Sequence, residues 1–256
     1  MVIKKAVEQV IESGVKPIIL DLQKVVDFSS NVQGIRSSLV IKSLELGTLT
    51  ANEYRYVARR TNQGSRLVER NIEKLFFFFD DIKKEFSKAE FFTISVYARS
   101  IIDGQLTQAL IDNFAKFPSV DPAMICIELS ADILFEDLNK YNNELKKLKQ
   151  LGVKIALCEV AQEFCPLLRL NEIEYDYVFL DGYFTRSLDK QEKESQINGI
   201  MSIINTRPCK IYGSCVEDEY ISLLEKVGAD GYTLKTDAKL VEKEWRVGGI
   251  EEDETN

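Results

Sequence analysis

From Phe91 onward the 256-residue sequence keeps one repeating rhythm, and that rhythm constrains the fold more than any other feature. Short runs rich in β-branched and aromatic residues occupy 91–97, 124–129, 153–158, 176–180, 209–213 and 230–234. The stretches between them, roughly 104–116, 135–150, 162–170, 187–206 and 216–227, carry apolar residues at helical spacing. Gly152 and Gly228 stand where a helix hands over to a strand. A βαβα alternation of this kind predicts a parallel sheet covered by helices. The number of repeats suits a closed (βα)8 barrel better than an open sheet.

The first ninety residues are less regular. Residues 1–13 predict a short amphipathic helix closed by Gly14, Val15 to Leu22 a strand, and Val25 to Phe28 a paired strand or hairpin arm. Ser37 to Leu46 alternates as the next strand. Thr50 followed by Glu53 is a capping-box pattern, and helices are expected over 51–60 and 63–86. The aromatic run Phe76 to Phe79 is assigned to the core. Residues 1–245 are read as one barrel domain, and the Glu/Asp-rich stretch 246–256 as a frayed acidic tail.

Composition excludes several chemistries. There is no histidine, so His-based triads and His-ligated zinc are ruled out. The five cysteines show no C-x-x-C spacing and are expected to be buried free thiols. A net charge of −8 disfavours nucleic acid as a partner. Arg55, Arg59, Arg60, Arg66 and Arg70 are read as a solvated helix face. No apolar run reaches the roughly 18 residues of a membrane span, and no signal-peptide core is present, which places the chain in the cytoplasm as an expectation.

In a parallel barrel, functional side chains gather at the C-terminal ends of the strands. Those ends offer Tyr97, Glu128, Cys158, Glu159, Asp181, Ser214, Glu217 and Asp230. Glu128, Glu159 and Asp181 are the set able to hold a hard cation such as Mg²⁺; acidic residues after strands also cap helices and end turns.

Read in order, these segments resemble the EAL domain family over roughly residues 14–240. Val15-Lys-Pro-Ile-Ile-Leu-Asp-Leu22 resembles the opening F-Q-P-I-x-D-L, and Gly47-Thr-Leu-Thr-Ala-Asn-Glu-Tyr54 the G-x-L-x-P-x-x-F segment. Ile127-Glu-Leu-Ser130 resembles E-I-T-E-S, and Leu151-Gly-Val-Lys-Ile-Ala-Leu157 is similar to L-G-x-x-I-A-L. Phe179-Leu-Asp-Gly-Tyr-Phe184 resembles K-I-D-x-x-F, Val216-Glu217 the end of A-E-G-V-E, and Gly228-Ala-Asp-Gly-Tyr232 a shortened G-x-D-x-x-Q-G-Y. The resemblance implies a barrel with room for one antiparallel strand. It also implies hydrolysis of cyclic-di-GMP (c-di-GMP) with two divalent metals.

Several positions depart from the family pattern. The E-A-L glutamate falls near Arg36, the phosphate-contacting arginine near Val40 and the V-N-L-S asparagine on Tyr97. The aspartate pair becomes Cys158-Glu159, the K-I-D lysine Phe179 and a further glutamate Ser214, while Glu128 keeps its identity. The resemblance then implies a vestigial site of Glu128, Glu159, Asp181 and Glu217, with Arg36 paired to Glu128 or Glu159. The expectation is a chain that is not an enzyme: a catalytically inactive regulatory module acting on an unidentified protein partner in c-di-GMP signalling, with no metal or cofactor. A homodimer is compatible with the resemblance. Two alternatives stand beside it: a metal-independent c-di-GMP receptor using Arg36, Tyr97 and Tyr232, and a residual phosphodiesterase using Mg²⁺ or Mn²⁺.

Overall fold

The computed structural model describes residues 3, 7, 18–43, 46–61, 63–102, 104–162, 165–234 and 238–241. The expected helix over 1–13, apart from Ile3 and Val7, and the acidic tail lie outside these residues. Among the described residues ten strands make one sheet: β1 (Ile18–Val26), β2 (Val32–Ser43), β3 (Gly47–Leu49), β4 (Phe91–Val96), β5 (Ile125–Ser130), β6 (Lys154–Val160), β7 (Tyr177–Leu180), β8 (Lys210–Val216), β9 (Gly231–Leu234) and β10 (Ala238–Val241). From β2 through β4, β5, β6, β7 and β8 to β9 each neighbour runs parallel to the next. β1 closes the ring by pairing antiparallel with β2 on one side and β9 on the other. The predicted closed eight-strand barrel with helices outside is therefore the observed fold, and β1 is its one antiparallel member.

The closure depends on a missing side chain. A Cβ on Gly231 would lie 2.0 Å from the Val26 carbonyl oxygen, closer than any real contact. Only glycine lets β9 approach β1 along this seam.

Two apolar layers hold the barrel. The larger lies between sheet and helices and takes in Leu20, Leu22, Ile35, Ile94, Ile127, Leu157 and Val178, with Phe76 and Phe79 from the helices. The smaller comprises Val25, Phe91, Cys126, Ala156, Tyr177, Phe179 and Tyr212, the residues of opposite strand parity, which fill the barrel interior. Phe91 stacks on Tyr177 at 4.2 Å, and Phe179 on Tyr212 at 5.5 Å, between ring centroids. The five cysteines are free thiols, but only Cys126 is buried as expected; Cys158, Cys165 and Cys209 are half-buried and Cys215 is exposed.

The first helix, α1 (Ala51–Arg60), begins where expected: Glu53 Oε2 accepts the Thr50 backbone N–H at 2.7 Å. The single helix expected over 63–86 is instead two, α2 (Gln63–Phe77) and α3 (Phe79–Glu85), separated at Phe78, whose own ring is buried. Phe76, Phe78 and Phe79 are all buried, more than one helix face can bury within four positions, so the axis breaks and re-aims the second half. The expected strand Val25–Phe28 is not separate. β1 runs on to Val26, and Asp27 then accepts the backbone N–H of Ser29 and Asn31 in a tight turn.

Gly231→Ala is expected to cost about 1–3 kcal/mol, because backbone at the seam must move to admit a methyl group. Gly199→Ala, in the helix Glu194–Ile204 with no atom near the new Cβ, is expected to stabilise by up to about 1 kcal/mol. Urea denaturation of both variants checks the pair. Equal effects at the two positions count against the seam.

Candidate functional site at the barrel mouth

The C-terminal ends of the parallel strands form one rim, and the side chains with the parity of Arg36 point into it. Register carries them there: Arg36 on β2 lies beside Thr93 on β4, and Ser95 on β4 beside Glu128 on β5. Cys158 and Ser214 follow at the ends of β6 and β8.

Arg36 and Glu128 form the centre. Arg36 Nε donates to Glu128 Oε2 at 2.9 Å and Nη2 to Oε1 at 2.5 Å, a two-pronged fork. Nη1 donates to Ser214 Oγ at 3.3 Å, and the guanidinium lies 4.4 Å from the centroid of the Phe179 ring. Thr93 Oγ1 donates to Glu128 Oε2 at 3.0 Å. The Glu128 side chain is 4% exposed and that of Arg36 17%. Burial alone pushes a carboxyl upward, but the Arg36 charge and hydrogen bonds, aided by Thr93 and Cys158, outweigh it and hold Glu128 below its ordinary value. Burial and the neighbouring Glu128 charge raise the Cys158 thiol. Of the two partners expected for Arg36, the structure selects Glu128.

Glu159 is held by a different set. It is the penultimate residue of β6 and has a left-handed φ of 60°, uncommon for a residue other than glycine. Arg59 Nη2 donates to its Oε2 at 2.6 Å, and Arg55 Nη1 is paired with its Oε1. The Ser130 hydroxyl donates to the same Oε2. Arg59 Nη1 also reaches Asp132 Oδ2 at 3.2 Å. Tyr97 lies close by, half-buried, and burial pushes its hydroxyl up to about 12 while Arg55 and Arg59 pull it down.

Other expected site residues stand elsewhere. Asp181 caps the short helix Gly182–Thr185, accepting the Tyr183 N–H at 2.7 Å, which is the structural role acidic residues after strands often take. Glu217 occupies the N-cap position of the helix Asp218–Lys226. Tyr232 is corrected: it has the outward parity of β9, is 7% exposed in the layer between sheet and helices, and packs 5.7 Å from the Phe28 ring. It does not face the mouth. Arg55 and Arg59, expected on a solvated helix face, are instead the residues that α1 brings to Glu159. Their four-residue spacing, which sets both on one helix face, was the available signal.

The donor set does not suit a pair of divalent cations. Two-metal chemistry needs several oxygen ligands aimed at both ions. Among the described residues no three His, Cys, Asp or Glu side chains converge to hold a metal ion. The two carboxylates nearest the centre, Glu128 and Glu159, already spend their oxygens on guanidinium groups.

Arg36→Met is expected to destabilise the fold by roughly 3–5 kcal/mol at pH 7, because Glu128 is left buried without its partner. In the wild type the lowered Glu128 pKa contributes stability above the ordinary value of 4.5 that is lost as pH falls through the lower folded value. Without Arg36 burial dominates and the folded pKa rises above the unfolded one, so the variant is favoured by acid instead. The stability gap between the two proteins should therefore narrow from pH 7 to pH 4 in urea denaturation. A gap that holds constant or widens defeats this account of Glu128.

Comparison with known proteins returns the same architecture. The PaMucR phosphodiesterase in its c-di-GMP complex superposes with a TM-score of 0.77 at 16% identity, covering 92% of this chain and 95% of that one. The cyclic di-GMP phosphodiesterase PdeB of Shewanella oneidensis is 26% identical over 115 residues, 43% of this chain and 13% of its own length. The cyclic di-GMP phosphodiesterase PdeA of Borreliella burgdorferi is 26% identical over 98 residues, 38% of this chain and 15% of its own. The chain spans no more than a fifth of the length of the curated relatives it matches. These relatives overturn the expectation that the chain is not an enzyme. Two are named as phosphodiesterases, and altered residues at single positions do not show inactivity where Glu128 and Glu159 persist as carboxylates. The EAL domain model matches residues 8–233, and the chain belongs to the EAL domain family.

Proposed function

We propose that this chain binds c-di-GMP at the barrel mouth as the nucleotide-sensing part of a signalling protein. The observation that carries the reading is the gathering of three guanidinium groups on the rim of an EAL barrel: Arg36 forked to Glu128, and Arg55 and Arg59 clasping Glu159 beside Tyr97, with Cys158 among all three. A cyclic dinucleotide presents two phosphodiester charges and two flat purines. Guanidinium forks meet the former, and Tyr97, half-buried beside Arg55 and Arg59, is the aromatic group this reading assigns to a purine. Arg36 uses three of its five N–H groups on Glu128 and Ser214, so two donors remain for a ligand oxygen. With the carboxylates already neutralised by arginine, recognition in this reading needs no divalent cation.

The solved PaMucR complex with c-di-GMP and the relatives named as c-di-GMP phosphodiesterases support the ligand class. Among the described residues no helix is long and apolar enough to cross a membrane.

Calorimetric titration with c-di-GMP in EDTA is expected to show saturable binding at micromolar affinity or tighter, unchanged when Mn²⁺ replaces EDTA. Arg36→Lys is expected to weaken it about tenfold or more, since an ammonium lacks the planar fork. Chromatography of the same mixtures reads any linear product directly. Absence of binding in both buffers sinks the proposal, and binding only with Mn²⁺ sinks its metal-independent part.

A further inference from the structure

The two glutamates of the mouth are held in unlike ways. Glu128 is sealed, with its side chain 4% exposed beneath Arg36. Glu159 sits at the open rim, clasped by Arg55 and Arg59, whose side chains are 32% and 29% exposed. Around its carboxylate converge two guanidinium groups and the Ser130 hydroxyl, all donating. A phosphate oxygen cluster is satisfied by the same set of donors. The carboxylate is also presented by a strained backbone, the left-handed turn at Glu159, with Ala161 likewise left-handed two residues on.

Building on the c-di-GMP reading, we infer that Arg55 and Arg59 form an anion site for phosphate-type oxygens and that Glu159 is its built-in occupant, displaced when the ligand arrives. The electrostatics follow from the count. With Glu159 in place the two arginines face two carboxylates, Glu159 and Asp132, and the cluster is neutral. With Glu159 withdrawn the arginines face Asp132 alone, and one positive charge is left for the ligand. Partly exposed ion pairs of this kind are weak and exchange readily, unlike the buried Arg36–Glu128 pair. An occupant that fills its site most of the time lowers the apparent affinity of any competitor in proportion to that occupancy. Glu159 therefore sets the ligand concentration at which the mouth responds.

The test uses inorganic phosphate and c-di-GMP as separate titrants in EDTA. Glu159→Gly, which suits the left-handed backbone, and Glu159→Gln, which keeps the size of the side chain, are both measured with circular dichroism to confirm folding. Each is expected to bind phosphate about tenfold more tightly than the wild type, as removal of an occupant present about nine-tenths of the time requires. Arg55→Ala/Arg59→Ala in either background is expected to erase the gain. Phosphate affinity that does not rise in the folded Glu159 variants overturns the inference, as does a gain that survives loss of both arginines. A gain for phosphate with no binding of c-di-GMP upholds the anion site and rejects the nucleotide assignment.

Discussion

The fork between Arg36 and Glu128 is the interaction on which the mouth depends. It ties β2 to β5 with β4 between them, and it places a full positive charge against the Phe179 ring in the barrel interior. Taking both ions out of water is costly, and the pair is tolerable because its bonds are short, two-pronged and supplemented by Thr93 and Ser214. A buried pair of this kind contributes little net stability against an apolar substitute. Its consequence is fixed geometry: neither partner can leave without stranding the other.

Much of the fold is legible from the chain alone because its physical cause is local. The alternation after Phe91 follows from strands buried on both faces and helices buried on one, and each expected strand from β4 to β9 is present, its ends displaced by no more than three residues. The capping box at Thr50 is equally local. The break at Phe78 was missed because it answers to packing of Phe76, Phe78 and Phe79 in the core and not to any breaker residue.

The site is less legible, for two reasons. Strand parity decides whether a residue faces the interior or the helices, and a bulge or a shift in register reverses it. Tyr232 follows Gly231, whose inward-facing position opposes Tyr212, so the tyrosine turns outward to Phe28. Long-range charge pairing is the second reason. Arg55 and Arg59 read as surface residues in their own helix, and only closure of the barrel brings the end of β6, a hundred residues later, within their reach. Glu128 and Arg36 were identifiable through the resemblance, and the choice between their partners rested on the same closure.

The aromatic stack inside the barrel decides how molecules come and go. Phe91, Tyr177 and Tyr212 are packed together near the strand starts, with Lys154 Nζ donating to the Tyr177 hydroxyl at 2.9 Å beside them. These rings fill the interior at the strand starts, so a molecule held at the mouth rests on packed aromatic side chains. The α1 side of that rim carries Arg55 and Arg59, so anything docked over this helix would cover the same arginines that hold Glu159.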